Sequence, residues 1–277
     1  MQCLGVAGRY CLSTWESESH IFEFLFFESG VSEKTAQLTD DVGAYGCLLA
    51  AGVLVVGGAI EFATRKINSG KRTTFHRIVR SLEFMSLLFV AGWFVADALA
   101  YMARGELYSK FVLGEVAVRY AAPLALGCLL LPGDSNGRNG SEVAKWILTI
   151  ATSATFLIHG YKAVELYGPF TDLILLTDMK CFGIGFEQAT VETGLALIGW
   201  IDIGLALVLV ATRWRWTAAY MVFWGLLTAV SRMTAFGVFA WPETLVRTAN
   251  WGSPLVLLLL CFALQSGKRS DNLEAGL

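Results

Sequence analysis

Titratable residues that could bind a ligand fall within segments that are otherwise apolar. His159 and Lys162 stand three residues apart, which places them on one face of a helix. Glu192 and Asp202 stand ten residues apart in a second apolar run, nearly three helical turns and roughly 15 Å. Arg232 lies in a third run with no acidic residue one turn away, so it requires a partner on another helix. Charges of this kind are costly in hydrocarbon and therefore face the interior of a helical bundle.

We predict that these five side chains line one ligand-binding cavity. His159, Lys162, Glu192 and Asp202 would lie between the fourth and fifth spans, with Arg232 facing them from the sixth. Their charges and hydrogen bonds suit a quinone oxygen or a small anion. The alternative for each is structural: Asp202, for example, could simply hydrogen-bond a neighbouring Thr, Ser or Trp.

Two further charge pairs occur at predicted helix starts. Glu115 precedes Arg119 by four residues, and Glu243 precedes Arg247 by four. Residues at this spacing share a helical face, and acids near a helix N-terminus also suit the helix dipole. We predict that both are structural ion pairs.

Several classes of function are disfavoured by the sequence. There is no C-x-x-C, no H-E-x-x-H and no pair of histidines at the spacing of haem or copper ligands, so no metal site is predicted. The last apolar segment, 246–264, contains no lysine for a retinal Schiff base. A net charge of −2 without a basic face argues against a nucleic-acid partner.

The elements that must position these residues are membrane-spanning helices. The chain is 55% hydrophobic and only 16% charged, against about 25% in soluble domains. A bilayer core requires roughly 20 apolar residues per helix. We therefore predict an all-α, polytopic membrane bundle, in which the lipid bilayer surrounds seven spans: 42–63, 81–103, 113–131, 145–166, 191–211, 217–239 and 246–264. The apolar segment 20–28 is too short to span and is interpreted as interfacial or re-entrant.

The distribution of Lys and Arg predicts an orientation. Twelve of these residues fall in the segments 64–80, 132–145, 212–216 and the C-terminal tail, while the opposite side carries five. Basic residues accumulate on the cytoplasmic side. Residues 1–41 would then be extracytoplasmic, whereas the loop 132–144 and the tail 265–277 would be cytoplasmic. The protein would be a multi-pass component of the plasma or inner membrane, with the predicted cavity open to the outside.

The sequence contains an internal similarity. GEVAVRYAAPLALGCLLLP (114–132) resembles PETLVRTANWGSPLVLLLL (242–260): each has Glu-x-x-x-Arg, then Pro, then a leucine-rich run. We predict that 42–131 and 191–264 are two copies of a three-span unit that run the same way through the membrane, an arrangement found in transport-type folds.

The region from 145 to about 231 resembles the DoxX-like family of small four-helix membrane proteins. The run from Phe156 to Lys162, closing in Leu166-Tyr167-Gly168, is similar to the end of the family's first helix. Val191-Glu192-x-Gly194 is similar to its Glu-x-x-Gly run, and the helix carrying Arg247 would complete a four-span copy over 145–264. Residues 20–131 would be a degenerate first copy whose first helix has shrunk to His20–Glu28. The long stretch 168–190 and the lack of an arginine where the span at 145 begins depart from the family pattern.

The resemblance implies a quinone- or redox-associated membrane subunit with a membrane-associated oxidoreductase as partner, without requiring catalysis. A quinone is the cofactor that it implies. Two alternatives stay open at this point. The repeat and the buried arginines would suit a transporter or permease of a small anion, and packing pairs alone would suit a non-catalytic assembly protein.

Overall fold

The computed structural model describes residues 1–11, 18–67, 74–130 and 138–274. Every regular element within these ranges is helical. Three parts of the predicted topology lie outside the described residues. They are residue 131 of the third predicted span with 132–137 of the cytoplasmic loop, the basic residues Lys71 and Arg72, and the last three residues of the tail.

The first half of the chain begins with a short helix and ends with a broken one. A single π-helical turn, Phe24–Glu28, extends the second helix, and a 3-10 turn, Ser109–Phe111, leads into the broken one. The α-helices of this half are α1 (Gln2–Cys11), α2 (His20–Glu23), α3 (Glu33–Ile67), α4 (Thr74–Ala103), α5 (Val112–Glu115) and α6 (Ala117–Leu130).

The second half follows the same order of elements with a longer first helix. A π-helical turn, Asp178–Phe182, again extends its second helix, and a 3-10 turn, Val238–Ala240, again leads into a broken helix. Its α-helices are α7 (Arg138–Val164), α8 (Gly168–Thr177), α9 (Gln188–Thr212), α10 (Arg215–Phe236), α11 (Trp241–Val246) and α12 (Thr248–Glu274).

The common order of elements can be compared with the prediction that the first copy begins with a shortened helix, His20–Glu28. His20–Glu28 corresponds to α8 with its π-helical turn, and α1 corresponds to α7. The contacts agree, since α1 packs on α3 as α7 packs on α9. In the order of elements, α1 and not His20–Glu28 therefore holds the position that α7 holds in the second half, while the repeat itself stays a prediction.

Length and composition indicate a multi-span membrane protein. Among the described residues, five helical segments are long and apolar enough to cross a membrane, and a sixth span results if α11 and α12, bent by 44°, cross together. The predicted span at 217–239 coincides with α10, which is not among them because Trp, Tyr, Thr and Arg side chains lower its hydropathy. Large apolar side chains point outward along the helices, for example Leu49, Phe62 and Trp200, as expected of surfaces that face lipid.

The packing of α9 against its two neighbours, α7 and α10, determines where the bundle contains a cavity. α7 and α9 cross at Gly160 and Gly199, so closely that a Cβ on Gly199 would lie 2.6 Å from the Gly160 carbonyl oxygen. Small residues commonly permit such approaches in membranes. α9 and α10, by contrast, touch over only a few residues, whereas the corresponding helices of the first half, α3 and α4, pack along much of their length. Separation of α9 from α10 leaves a cavity in the second half.

Candidate functional site

A cavity of about 290 Å³ lies among α7, α8, α9, α10 and α12. Most of its wall is apolar, with the aromatic side chains of Phe156, Phe170, Phe182, Phe186 and Trp224. A smaller set of polar side chains also reaches it, namely His159, Asp178, Asp202, Thr228, Ser231, Arg232, Arg247 and Asn250. An apolar pocket with a few polar groups is the usual form of a small-molecule site.

The crossing of α7 and α9 at Gly160 and Gly199 places two of the predicted site residues, His159 and Asp202, at the same depth in the bundle. A Cβ on Gly160 would lie 3.1 Å from the Cβ of Asp202, so the residue next to His159 in α7 touches Asp202 in α9. Both side chains line the cavity. Their proximity depends on the absence of side chains at Gly160 and Gly199.

Asp202 is held by a residue that the sequence analysis did not consider. The hydroxyl of Tyr220 in α10 donates to Asp202 Oδ1 at 3.4 Å, and Asp202 is buried. The Tyr220 ring stacks on Trp224 one turn later, with centroids 6.5 Å apart and planes at 15°. α10 thus contributes both the partner of the acid and an aromatic wall of the cavity.

Three cationic or ionisable side chains supply possible hydrogen-bond donors to a ligand. Arg232 and Arg247 line the cavity from α10 and from the break between α11 and α12. His159 also lines it, and the His159 ring lies 5.9 Å from that of Phe170. An imidazole or guanidinium N–H can donate to a carbonyl oxygen or an anionic oxygen of a ligand.

Of the five predicted residues, His159, Asp202 and Arg232 line this cavity, whereas Lys162 and Glu192 do not. Lys162 is buried on another face of α7, with Nζ 4.6 Å from the centre of the Tyr167 ring. Glu192 accepts a hydrogen bond from the Gln188 amide at 2.6 Å near the start of α9. Helical spacing placed both residues at a suitable depth, but rotation about the helix axes directs them elsewhere.

The two predicted ion pairs also differ in outcome. Arg247 Nε lies 4.0 Å from Glu243 Oε2, within ion-pair distance. Glu115, however, pairs with α7 and not with Arg119: Lys162 Nζ is 2.7 Å from Oε2, and His159 Nε2 is 3.6 Å from Oε1. The helix breaks directly after Glu115, at Val116, so the regular i,i+4 geometry assumed from the sequence is lost.

Asp178 organises the segment that closes one end of the cavity. Its carboxylate accepts backbone N–H bonds from Ile184, Gly185 and Phe186 at 2.8–3.0 Å. These donors, with that of Phe186 foremost, hold the pKa of Asp178 below its usual value. They also fix the turn between Phe182 and Phe186, two of the aromatic side chains of the wall.

Within the part of the chain that the structure describes, no three His, Cys, Asp or Glu side chains are grouped as metal ligands. Protein-family models, characterised proteins and solved structures were compared with the chain. None of the three comparisons gives a match. The candidate site is therefore argued from its own geometry.

Sequence reasoning missed four polar or aromatic contributors near the site. Asn250 is a buried amide in an apolar span, a signal that was available in the sequence. Tyr220 and Trp224 stand four residues apart and so share a helical face, but nothing in the sequence indicates that this face meets Asp202. Arg9 lies ahead of every predicted span, yet its Nε is 3.2 Å from Glu243 Oε1.

Proposed function

We propose that this protein is a DoxX-like, multi-span membrane subunit that binds a quinone in the cavity between α9 and α10. The separation of these two helices is the observation that carries the proposal. In the first half the corresponding helices α3 and α4 close against each other, so the opening is particular to the second half.

The wall of the cavity suits a flat, apolar ring. Phe156, Phe170 and Trp224 are placed to contact the faces and edges of such a ring. At about 290 Å³ the cavity lies near the lower end of ligand pockets, which suits a head group with its tail outside.

Polar groups in the wall match both oxidation states of a quinone. His159, Arg247 and Asn250 can donate hydrogen bonds to a quinone carbonyl oxygen. Asp202, supported by the Tyr220 hydroxyl, can accept a hydrogen bond from the hydroxyl of a quinol. A ligand that gains or loses protons with its electrons requires both kinds of partner.

The route of entry follows from the same pair of helices. Leu195 and Ile198 of α9 and Leu227 and Thr228 of α10 line the cavity, and Leu227 is exposed on the outer surface of the bundle. A quinone dissolved in the bilayer can therefore enter sideways between α9 and α10 and leave its tail in lipid. A membrane-associated oxidoreductase is the partner that the family resemblance implies.

A cavity-filling variant tests the proposal. Purified protein in quinone-free nanodiscs is titrated with a short-chain ubiquinone and a short-chain menaquinone, and binding is followed by isothermal calorimetry. Thr228→Phe places a ring in the cavity and should weaken binding about tenfold or more, equivalent to about 1.4 kcal/mol or more. Thr228→Ser, which adds no volume, should bind as the wild type does.

Folding of each variant is checked by its elution and thermal stability. Absence of saturable binding of either quinone to well-folded wild type would refute the proposal. If Thr228→Phe and wild type bound quinone with the same affinity, the quinone would have to bind outside this cavity.

A further inference from the structure

Four arginine side chains from separate parts of the bundle converge on Glu243. Arg9 of α1 approaches Glu243 Oε1 at 3.2 Å, and Arg247 approaches Oε2 at 4.0 Å. Arg119 of α6 and Arg232 of α10 lie within electrostatic reach of the same carboxylate. Two of the four guanidinium groups, those of Arg9 and Arg247, thus lie within 4.0 Å of this carboxylate.

Three neighbouring acids, Glu115, Asp40 and Asp97, interact with other groups. Glu115 forms an ion pair with Lys162, with Nζ 2.7 Å from Oε2, and His159 Nε2 lies 3.6 Å from its Oε1. Toward Arg9, Asp40 accepts the backbone N–H of Ser19 at 3.1 Å, and Asp97 accepts that of His20 at 2.9 Å.

Two donor groups in this cluster meet no acceptor among the described residues. Among the described residues, the Nε of Arg119 and the Nε of Arg247 are buried and have no hydrogen-bond partner. The ion pair of Arg247 with Glu243, at 4.0 Å, is too long for a hydrogen bond. Buried donors normally find a partner, so a missing acceptor is indicated.

A second chamber supplies room for that acceptor. It has a volume of about 390 Å³, is lined by Arg232, Arg247, Glu243 and Asp172, and shares the wall formed by the two arginines with the quinone cavity. Asp172, on α8, is exposed, so the chamber reaches the solvent at this end of the bundle.

We infer that this chamber binds an oxyanion of the phosphate type between Arg232 and Arg247. Such a group offers several anionic oxygens, and guanidinium groups bind them in pairs of parallel hydrogen bonds. The group is either a free inorganic anion from the aqueous side or the phosphate of an anionic lipid that enters from the membrane. This chamber lies beside the proposed quinone cavity and shares Arg232 and Arg247 with it, but oxyanion binding does not depend on a quinone being bound.

The test measures binding of radiolabelled inorganic phosphate to purified protein in nanodiscs of neutral lipid. Arg247→Gln keeps a polar side chain but removes the charge, and it should weaken binding about tenfold or more, as expected for lost charge-assisted hydrogen bonds. Arg215→Gln is the matched control, because the Arg215 guanidinium lies 5.7 Å from the Trp216 ring at the other end of α10 and should not affect binding.

Asp172→Asn gives a result that a purely structural role of the arginines would not produce. Removing an exposed carboxylate from the mouth of the chamber should tighten phosphate binding severalfold without affecting folding. This variant keeps the inference testable even where Arg247→Gln folds poorly.

A second arm replaces free phosphate with nanodiscs that contain phosphatidylglycerol, with bound lipid detected by native mass spectrometry. Retention of the lipid by wild type and its loss in Arg247→Gln would assign the oxyanion to a lipid. Failure of both probes to bind, or equal binding by wild type, Arg247→Gln and Asp172→Asn, would overturn the inference. Thr228→Phe distinguishes the two sites, because it should weaken quinone binding about tenfold or more and leave phosphate binding intact.

Discussion

Lys162 Nζ lies 2.7 Å from Glu115 Oε2 and joins α7 of the second half to the break between α5 and α6 of the first. The Lys162 side chain is only 3% exposed. A counterpart is found where α1 meets α11, since Arg9 pairs with Glu243 at 3.2 Å. Each pair thus joins two halves of the chain: a cation on the first helix of one half contacts a glutamate in the short helix before the break of the other half.

Removing one partner of the Lys162–Glu115 pair should be costly. Lys162→Gln leaves the Glu115 carboxylate partly buried, with His159 as its remaining ion-pair partner among the described residues, and we expect the free energy of unfolding to fall by about 3–5 kcal/mol. Thermal or denaturant unfolding in detergent measures the change.

The same helix offers a control. Lys145→Gln breaks the pair with Glu142, whose side chain is 46% exposed, and should cost less than about 1 kcal/mol. The double variant Lys162→Gln with Glu115→Gln should recover part of the loss. Equal stability of Lys162→Gln and Lys145→Gln would show that Lys162 reaches water.

Gly199→Ala should loosen the crossing of α7 and α9. The added methyl group would lie 2.6 Å from the Gly160 carbonyl oxygen, so the helices must move apart at a cost of about 1–3 kcal/mol. Because this crossing sets the position of Asp202 beside α7, quinone affinity should fall as well.

Gly204→Ala, five residues later in α9, is the matched control. A Cβ there meets nothing within 4 Å, and alanine is the better helix former by up to about 1 kcal/mol. Stability of Gly204→Ala should therefore equal or exceed that of the wild type. The contact would be without consequence if both alanine variants were as stable as the wild type.

Asp178→Asn should destabilise the protein in a pH-dependent way. The pKa of Asp178 is lower in the folded state than its usual 3.8, because its ionised form accepts three backbone N–H bonds. Its stabilisation is therefore fully present above pH 3.8 and is lost as the pH falls through the lower, folded-state pKa.

Unfolding curves of wild type and Asp178→Asn between pH 7 and pH 3 measure this effect. The difference in stability should be largest at neutral pH and shrink at the acid end. Asp41→Asn, at an exposed position of α3, should show no such trend. A difference that persists unchanged to pH 3 would mean that the charge of Asp178 is not responsible.

The predicted orientation places Cys181 outside the cell. Its side chain is exposed in the turn after α8, at the end of the bundle where Lys180 Nζ donates to the Ala235 carbonyl oxygen. In a variant that retains only this cysteine, a membrane-impermeant maleimide should label intact cells. A variant without cysteines controls for background, and labelling that requires permeabilised cells would reverse the predicted orientation.

The sequence alone predicted the positions of the five or six candidate spans that the described residues contain, and it identified the unusual charges. Apolar runs of about 20 residues are sufficient to predict a membrane helix, because burial in lipid depends on composition along the run. The predicted spans that contain His159 and Asp202 correspond to α7 and α9 for the same reason. The cost of a charge in hydrocarbon likewise identified His159, Asp202 and Arg232 as residues that face the interior.

Only the tertiary structure decided which helix each charge faces. The helix breaks at Val116, and Glu115 pairs with Lys162, whose side chain points to this break and not into the cavity. The cavity itself results from close packing of α7 on α9 and weak packing of α9 on α10. Crossing distance and rotation depend on the fit of two surfaces far apart in the chain, so no local pattern in one helix could specify them.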